Sequence, residues 1–181
     1  SSKSSQLSRF ELCRPFLLDI VSKNRSYDIL DIGSGLGDII EYLSTFDADY
    51  EYIGIEQCDD LCKQSIDKNY RNATFYHAFI EDYLKSDFKH KSDLIVALGS
   101  FSWYEDYTKD IQPILVDLFN NELKDGGQMI ITLASTRLDE SKRSKIIYHE
   151  PEVVLKEAIK TFSKVSLNHY LHHEFALEIS K

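Results

Sequence analysis

Hydrophobic positions along the chain switch repeatedly between a helical and a strand-like spacing. Leu12, Phe16, Leu17, Ile20 and Val21 recur at helical intervals and predict a first helix from about Ser8 to Ser22. The apolar run Tyr27 to Ile32 stops at glycines and predicts strand one. Ile39, Ile40 and Leu43 line one helix face, and Tyr52 to Ile55 predicts strand two. Asp59 stands where it can cap a helix whose apolar face is Leu61, Cys62, Ser65 and Ile66. Ala73 to His77 predicts strand three. Asp93 to Leu98 is apolar almost throughout, as a strand covered on both faces should be. Ile111, Ile114, Leu115, Leu118 and Phe119 return to helical spacing, with Pro113 tolerated near the helix start. Asp125-Gly126-Gly127 predicts a turn, Gln128 to Leu133 strand five, and Pro151 a helix running to about Phe162. Val165 to Tyr170 and Glu174 to Ile179 predict two closing strands.

Strands alternating with helices imply a parallel sheet with helices on both faces. The two closing strands leave no room for a crossover helix between them, so they must run antiparallel. The expected fold is α/β: a Rossmann-like, doubly wound, seven-stranded sheet, mostly parallel, with a C-terminal antiparallel hairpin. Residues 1–181 are expected to form one domain, with Ser1 to Ser8 a mobile tail. The first helix and the stretch Thr136 to Glu150 are the segments able to form a lid.

Composition narrows the class. A chain of 181 residues with 43% apolar content can bury a core without staples. Its apolar runs fall far short of the ~20 residues that span a bilayer, and no secretory pattern opens it. Three cysteines, Cys13, Cys58 and Cys62, fit a reducing, cytoplasmic setting better than a disulfide framework. Cys58 and Cys62 share a helix face, but two further metal ligands are not nearby, so packing is the simpler role. Thirty acidic against 21 basic residues give a net charge of −9, which repels phosphate backbones. The best local basic patch holds Arg137, Lys142, Arg143 and Lys145, but Asp139 and Glu140 interrupt it. A solvated connecting loop is the expectation there, and nucleic acid is not the expected partner.

The chemistry concentrates in Leu30-Asp31-Ile32-Gly33-Ser34-Gly35-Leu36-Gly37-Asp38, where strand one turns toward a helix. Glycine lets the backbone bend tightly and approach a ligand. Ligands of doubly wound folds sit at the carboxyl ends of the strands. A dinucleotide fingerprint needs a third glycine where Asp38 stands, and no Gly-Lys-Ser/Thr follows to make a P-loop. Glu56 ends strand two, 19 residues past Gly37, where an acid can accept hydrogen bonds from both ribose hydroxyls.

These residues resemble the class I S-adenosylmethionine-dependent methyltransferases. Asp31 to Gly37 looks like their cofactor motif, and Ile53-Gly54-Ile55-Glu56 like their second strand with its ribose acid. Asp93 to Ser100 looks like their fourth strand, and Leu123 to Ile131 like the loop and strand five of many members. The resemblance runs in register from about Tyr27 to Leu133. It implies S-adenosyl-L-methionine as cofactor. Gly33, Ser34, Gly35 and Gly37 would pass under its methionine and ribose portions. Asp31 would orient that loop or meet the amino group, with Glu56 and Gln57 at the ribose and Gly99 at the end of strand four. One departure stands out: Phe79 occupies the place where many relatives put an adenine-binding Asp. Glu81 or Asp82 can substitute, or Ile80 can offer its backbone amide.

Gly99 to Glu105 resembles the corresponding loop of small-molecule methyltransferases, including the histamine-methyltransferase-like group. It lacks the Asp/Asn-Pro-Pro-Tyr/Phe motif that holds a flipped base. Ser100, Trp103 and Tyr104 are the expected acceptor wall, since aromatic faces suit a sulfonium or a cationic amine. Phe101 serves either that wall or the core. An acceptor that must lose a proton needs a general base. His149 is the first candidate, with an exposed loop histidine as the plainer alternative, and Tyr104 is the second. His169, His172 and His173 cluster near the closing turn, but neighbouring side chains in a strand point oppositely, so no metal site is expected. The expected activity is transfer of a methyl group to a nitrogen or oxygen of a small molecule. The alternatives are an RNA- or protein-modifying enzyme using the Arg137 to Lys145 cluster, and a non-catalytic binding module.

Overall fold

The computed structural model describes residues 3–88, 90–136, 146–171 and 173–181. Its centre is a seven-stranded sheet of order β3-β2-β1-β4-β5-β7-β6. The strands are β1 (Tyr27–Ile32), β2 (Tyr50–Glu56), β3 (Ala73–His77), β4 (Ser92–Leu98), β5 (Leu123–Ala134), β6 (Val165–Leu171) and β7 (Glu174–Ser180). The first five pair in parallel, and β7 runs antiparallel to both β5 and β6. This is the doubly wound fold with a closing hairpin expected from the alternation of periods.

The central strands are apolar on both faces because each face has its own core. Leu30, Ile95, Ala97, Met129 and Ile131 join one buried cluster with Leu115 and Val154. Their neighbours Ile29, Leu94, Val96 and Ile130 point the other way and join a second cluster with Leu17, Ile39 and Leu43. Successive strand residues face opposite sides, so one apolar run feeds both layers. Each of the Leu, Ile, Val and Met side chains among them contributes about 1.5–3 kcal/mol when fully buried.

The N-terminal segment differs from the expectation. Helix α1 (Lys3–Phe10) occupies most of the expected tail, and α2 (Arg14–Ser22) follows after a tighter turn at Glu11–Cys13. The single expected helix is therefore two. Pro15 lies in the first turn of α2, where its missing N–H costs nothing but its ring disfavours a continuous entry. Cys13, Leu17 and Ile20 bury against β1, β4 and α3 (Ile39–Leu43), and Phe10 packs on them.

Further elements refine the reading. In α4 (Asp59–Asp67) the cap position is Cys58, with Asp59 and Asp60 in the first turn. Cys62 and Ser65 are buried there, whereas Ile66 is exposed. A short helix, α5 (Ile80–Lys85), follows β3 directly and buries Ile80 and Tyr83. The sixth helix, α6 (Gln112–Asp117), is flanked by wider helical turns at Tyr107–Ile111 and Leu118–Glu122. The Asp106 carboxylate caps its approach by accepting from the amides of Thr108 and Lys109, at 2.9 and 3.1 Å. Pro151 opens α7 (Pro151–Thr161). Strand β5 starts earlier than expected because Leu123 pairs with Ser92. The register then shifts around Gly126, at φ +78°, before Gln128 pairs with Leu94. Among the described residues no helix is long and apolar enough to cross a membrane.

Candidate functional site

Strand order reverses direction between β1 and β4, and the site lies at their carboxyl ends. The chain turns at Gly33 and Gly35, both at positive φ, +72° and +55°. A Cβ on Gly33 would meet Ser100 Cβ and Oγ at 2.7 Å, so a side chain there is barred by the loop after β4. A Cβ on Gly35 would meet nothing within 4 Å. Gly35 therefore turns a bare backbone face to open space, where a ligand can lie against it. The turn rests on β2 through Gly54, whose Cβ would lie 2.7 Å from both Phe75 and Ser34 Oγ.

The amides of this turn point inward. Gly33 N–H and Ser34 N–H donate to the Ile55 carbonyl at 2.8 and 3.1 Å, and Gly37 N–H to the Ser34 carbonyl at 2.9 Å. Gly35 N–H donates to Glu56 Oε2 at 2.8 Å, while Cys58 N–H donates to Oε1 at 2.8 Å. A phosphate-binding loop must aim its N–H groups at the ligand. Here they are used within the protein, and a buried carboxylate sits beside them. The turn suits a polyol or a neutral backbone neighbour and disfavours phosphate.

Asp31 ends up beneath this turn, buried, accepting from the Tyr52 hydroxyl at 2.6 Å. Burial pushes its carboxyl up to about 7; the Tyr52 hydrogen bond opposes that rise and the Glu56 charge adds to it.

Cavities open on both sides of Gly33. One, of about 190 Å³, is lined by Ile32, Ile55, Glu56, Gln57, Ala78, Ile80 and the loop Gly99–Tyr104 except Ser102. It widens into an outer mouth of about 430 Å³ between Phe79, Glu81, Trp103 and Tyr104. The other, of about 160 Å³, lies between Asp31, Ser34, Gly35 and the first helix, with Gln6, Arg9 and Phe10 as its far wall. An elongated ligand laid across the glycine turn would reach into both.

The expected residues distribute as follows. Asp31, Gly33, Ser34, Gly35, Glu56, Gln57, Gly99, Ser100, Trp103 and Tyr104 line these spaces. Gly37 packs against Phe75 behind the turn. Glu81 reaches the outer mouth, where it accepts from the Tyr104 hydroxyl at 2.6 Å; Asp82 faces solvent away from it. Phe101 is both wall and core, fully buried and edge-on to Tyr104 at 5.4 Å. Trp103 is 67% exposed at the rim. Burial, reinforced by the Glu81 hydrogen bond, pushes the Tyr104 phenol far up, so it stays protonated.

His149 is not the exposed loop histidine that was the plainer expectation. It is buried in a short bridge beside Ser135, its amide donating to the Ala134 carbonyl at 2.8 Å. Burial lowers its pKa, against a hydrogen bond to the Tyr104 backbone and the charge of Asp106. It stands behind the Tyr104 loop rather than on the cavity walls. The basic cluster Arg137 to Lys145 and His172 lie outside the described residues, and among those described no group of three or more metal-binding side chains forms. Sequence reasoning missed Gln6, Arg9 and Phe10, brought in by α1, and, although it placed Gly54 in strand two, it missed that the lack of a side chain there admits the turn. Of these only Gly54 carried a local signal, a glycine inside an apolar strand.

The sequence matches no family model and no curated protein. Solved structures resemble it over nearly its whole length. The plantazolicin methyltransferase BamL, in complex with a triazolic desmethylPZN analog and S-adenosylhomocysteine, superposes with a TM-score of 0.69 at 18% identity, covering 99% of this chain and 86% of its own. Magnesium protoporphyrin IX methyltransferase from Synechocystis PCC 6803, with bound S-adenosylhomocysteine, gives 0.67 at 13% identity, covering 97% and 84%. The N-methyltransferase NodS from Bradyrhizobium japonicum WM9 gives 0.64 at 17% identity, covering 94% and 86%. At these identities the likeness is one of fold: the chain has the fold of the class I S-adenosylmethionine-dependent methyltransferases.

Proposed function

We propose that the protein is an S-adenosylmethionine-dependent methyltransferase that transfers a methyl group to a nitrogen or oxygen of a small molecule. The observation that carries this reading is the glycine turn, which uses its amides on β2 and Glu56 while Gly35 presents a bare face to open space. That arrangement suits a nucleoside without phosphates. The three solved neighbours described above carry methyltransferase names.

In this reading Glu56, fixed by two backbone amides, accepts hydrogen bonds from the ribose hydroxyls, with Gln57 beside it. Ile55, Ala78, Ile80 and Phe101 give the adenine an apolar slot. The Ile80 amide and the Glu81 carboxylate are its polar partners in place of the Asp that Phe79 replaces. Asp31, Ser34 and Gly99 face the amino-acid end. The cofactor supplies a methyl group already activated by its sulfonium. The protein's task is then to hold the acceptor in line at ~3–3.5 Å and to exclude water. Ser100, Trp103 and Tyr104 form the acceptor wall, where aromatic faces favour cationic centres. His149, buried behind the Tyr104 loop, hydrogen-bonds the Tyr104 backbone and in this reading positions that loop. Tyr104 stays a phenol and serves by holding Glu81.

Calorimetric titration with S-adenosylhomocysteine, on wild type and Glu56→Ala, tests the reading. One saturable site is expected, weakened about tenfold or more in the variant, or about 1.4 kcal/mol. A folded wild-type sample that binds neither S-adenosylhomocysteine nor S-adenosylmethionine overturns it.

A further inference from the structure

The outer mouth shares Gln57, Ser100, Trp103 and Tyr104 with the inner cavity and adds two side chains of its own, Phe79 and Glu81. Phe79 and Trp103 are left bare to solvent, at 56% and 67% exposure. Two large apolar rings in water at one concave opening mark a surface that a ligand covers. The Glu81 carboxylate is held there through Oε1, which accepts from the Tyr104 hydroxyl at 2.6 Å. Among the described residues, no lysine, arginine or histidine lines the mouth or the inner cavity. The charged groups on their walls are the carboxylates of Glu81 and Glu56, and Glu56 is engaged by two backbone amides. An ionised carboxylate offers about four acceptor positions, so Glu81 can serve the adenine amino group and still present its charge to the mouth.

Such a lining discriminates by charge. A neutral body seated on the two rings strips water from Glu81 and gives nothing back. An anion adds repulsion, in a chain whose net charge is already −9. A cation neutralises the carboxylate and meets the negative faces of the rings, an attraction that strengthens as water leaves. Flat apolar groups pack well on the same rings. Resting on the methyltransferase reading, we propose that the methyl acceptor is a cation with a flat apolar body, its positive charge held by Glu81 and its body against Phe79 and Trp103. The recognised charge is distinct from the reacting atom, because an ammonium has no lone pair with which to attack a methyl carbon.

Trp103 is the chain's one tryptophan, so its fluorescence reports on the mouth directly. The test titrates phenethylamine, neutral phenethyl alcohol and anionic hydrocinnamate, which share one ring, into protein saturated with S-adenosylhomocysteine. Wild type, Glu81→Gln and Phe79→Leu are compared. In wild type the amine is expected to bind about tenfold or more tightly than the alcohol, and the anion not to bind. Glu81→Gln keeps an acceptor for Tyr104 without the charge and is expected to erase the amine's advantage. Phe79→Leu keeps apolar bulk without the ring face and is expected to reduce that advantage part-way. The proposal fails if wild type binds the alcohol or the anion as well as the amine, or binds none of the three. It fails equally if Glu81→Gln leaves the advantage intact, and an advantage unchanged by Phe79→Leu overturns the part given to that ring. Wild type that binds S-adenosylhomocysteine but does not prefer the amine sinks the proposal alone. If wild type does not bind S-adenosylhomocysteine, the methyltransferase reading falls, and the proposal with it.

Discussion

Asp31 sits in the middle of the candidate site at the end of β1, held by the Tyr52 hydroxyl and pushed up to about 7 by burial. A carboxyl that binds its proton more tightly in the folded chain than in the unfolded one stabilises fully at acid pH, and that contribution is lost as pH rises from about 4 through about 7. Asp31→Asn, which keeps an acceptor for Tyr52, is therefore expected to gain stability over wild type with rising pH, on the order of 2–4 kcal/mol above pH 7. Urea midpoints from pH 4 to 9 read it; a difference that is flat with pH overturns it. Two glycines allow a second residue-scale test. Gly35→Ala is strained by its positive φ but meets no atom, so it is expected to cost about 1 kcal/mol of stability and to abolish most S-adenosylhomocysteine binding. Gly54→Ala drives a methyl group into Phe75 and Ser34 and is expected to cost more stability, about 1–3 kcal/mol by thermal denaturation.

At the scale of elements, the carboxyl ends of β1, β2 and β4 carry the site, while their opposite ends carry a charge network. Asp93, at the start of β4, accepts from Lys124 at 2.8 Å, Arg25 at 2.8 Å and the Asp28 amide at 2.9 Å. Burial pushes this carboxyl up, but those partners outweigh it and hold it below the usual range. Its stabilisation is present at neutral pH and lost as pH falls through the acid range. Asp93→Ala leaves two cations facing an emptied site and is expected to cost about 2–4 kcal/mol at pH 7 and less at pH 3. Chemical denaturation at the two pH values checks this. Cofactor affinity should hold in the folded variant, because the network lies at the far end of the strand. The helices divide by how legible they were. Helix α4 was expected from its spacing, whereas α5 was not, since six residues with Ile80 and Tyr83 buried make too brief a period. The break between α1 and α2 was hidden because the apolar spacing runs across it and only Pro15 marks it.

For the whole molecule, ligand binding and stability are linked. A ligand that binds only the folded chain adds about 2.7 kcal/mol at a hundred times its Kd. In a chain of this length that is a rise in Tm of roughly 5–10 °C. S-Adenosylhomocysteine is expected to give such a shift, and adenosine diphosphate none, because the amides of Gly33, Ser34, Gly35 and Gly37 are used within the protein and the Glu56 carboxylate sits beside them. An equal shift from the diphosphate would return the turn to the nucleotide-phosphate class.

The sequence by itself determined the seven strands, their parallel and antiparallel sense, and the glycine turn with Asp31 and Glu56 on either side. Those features are written locally: in hydrophobic period, in strand spacing, and in glycines at one bend. Tertiary structure alone decided which residues join the turn from afar. Arg9 reaches the site because α1 folds back over the sheet and Glu174, 165 residues on, holds it there. Tyr104 meets Glu81 because β3 and β4 end at the same edge of the crevice, and His149 is buried because its strand-like bridge lies against β5. Such pairings depend on how layers stack, which no local period encodes. The site's frame could therefore be read along the chain, but its far wall could not.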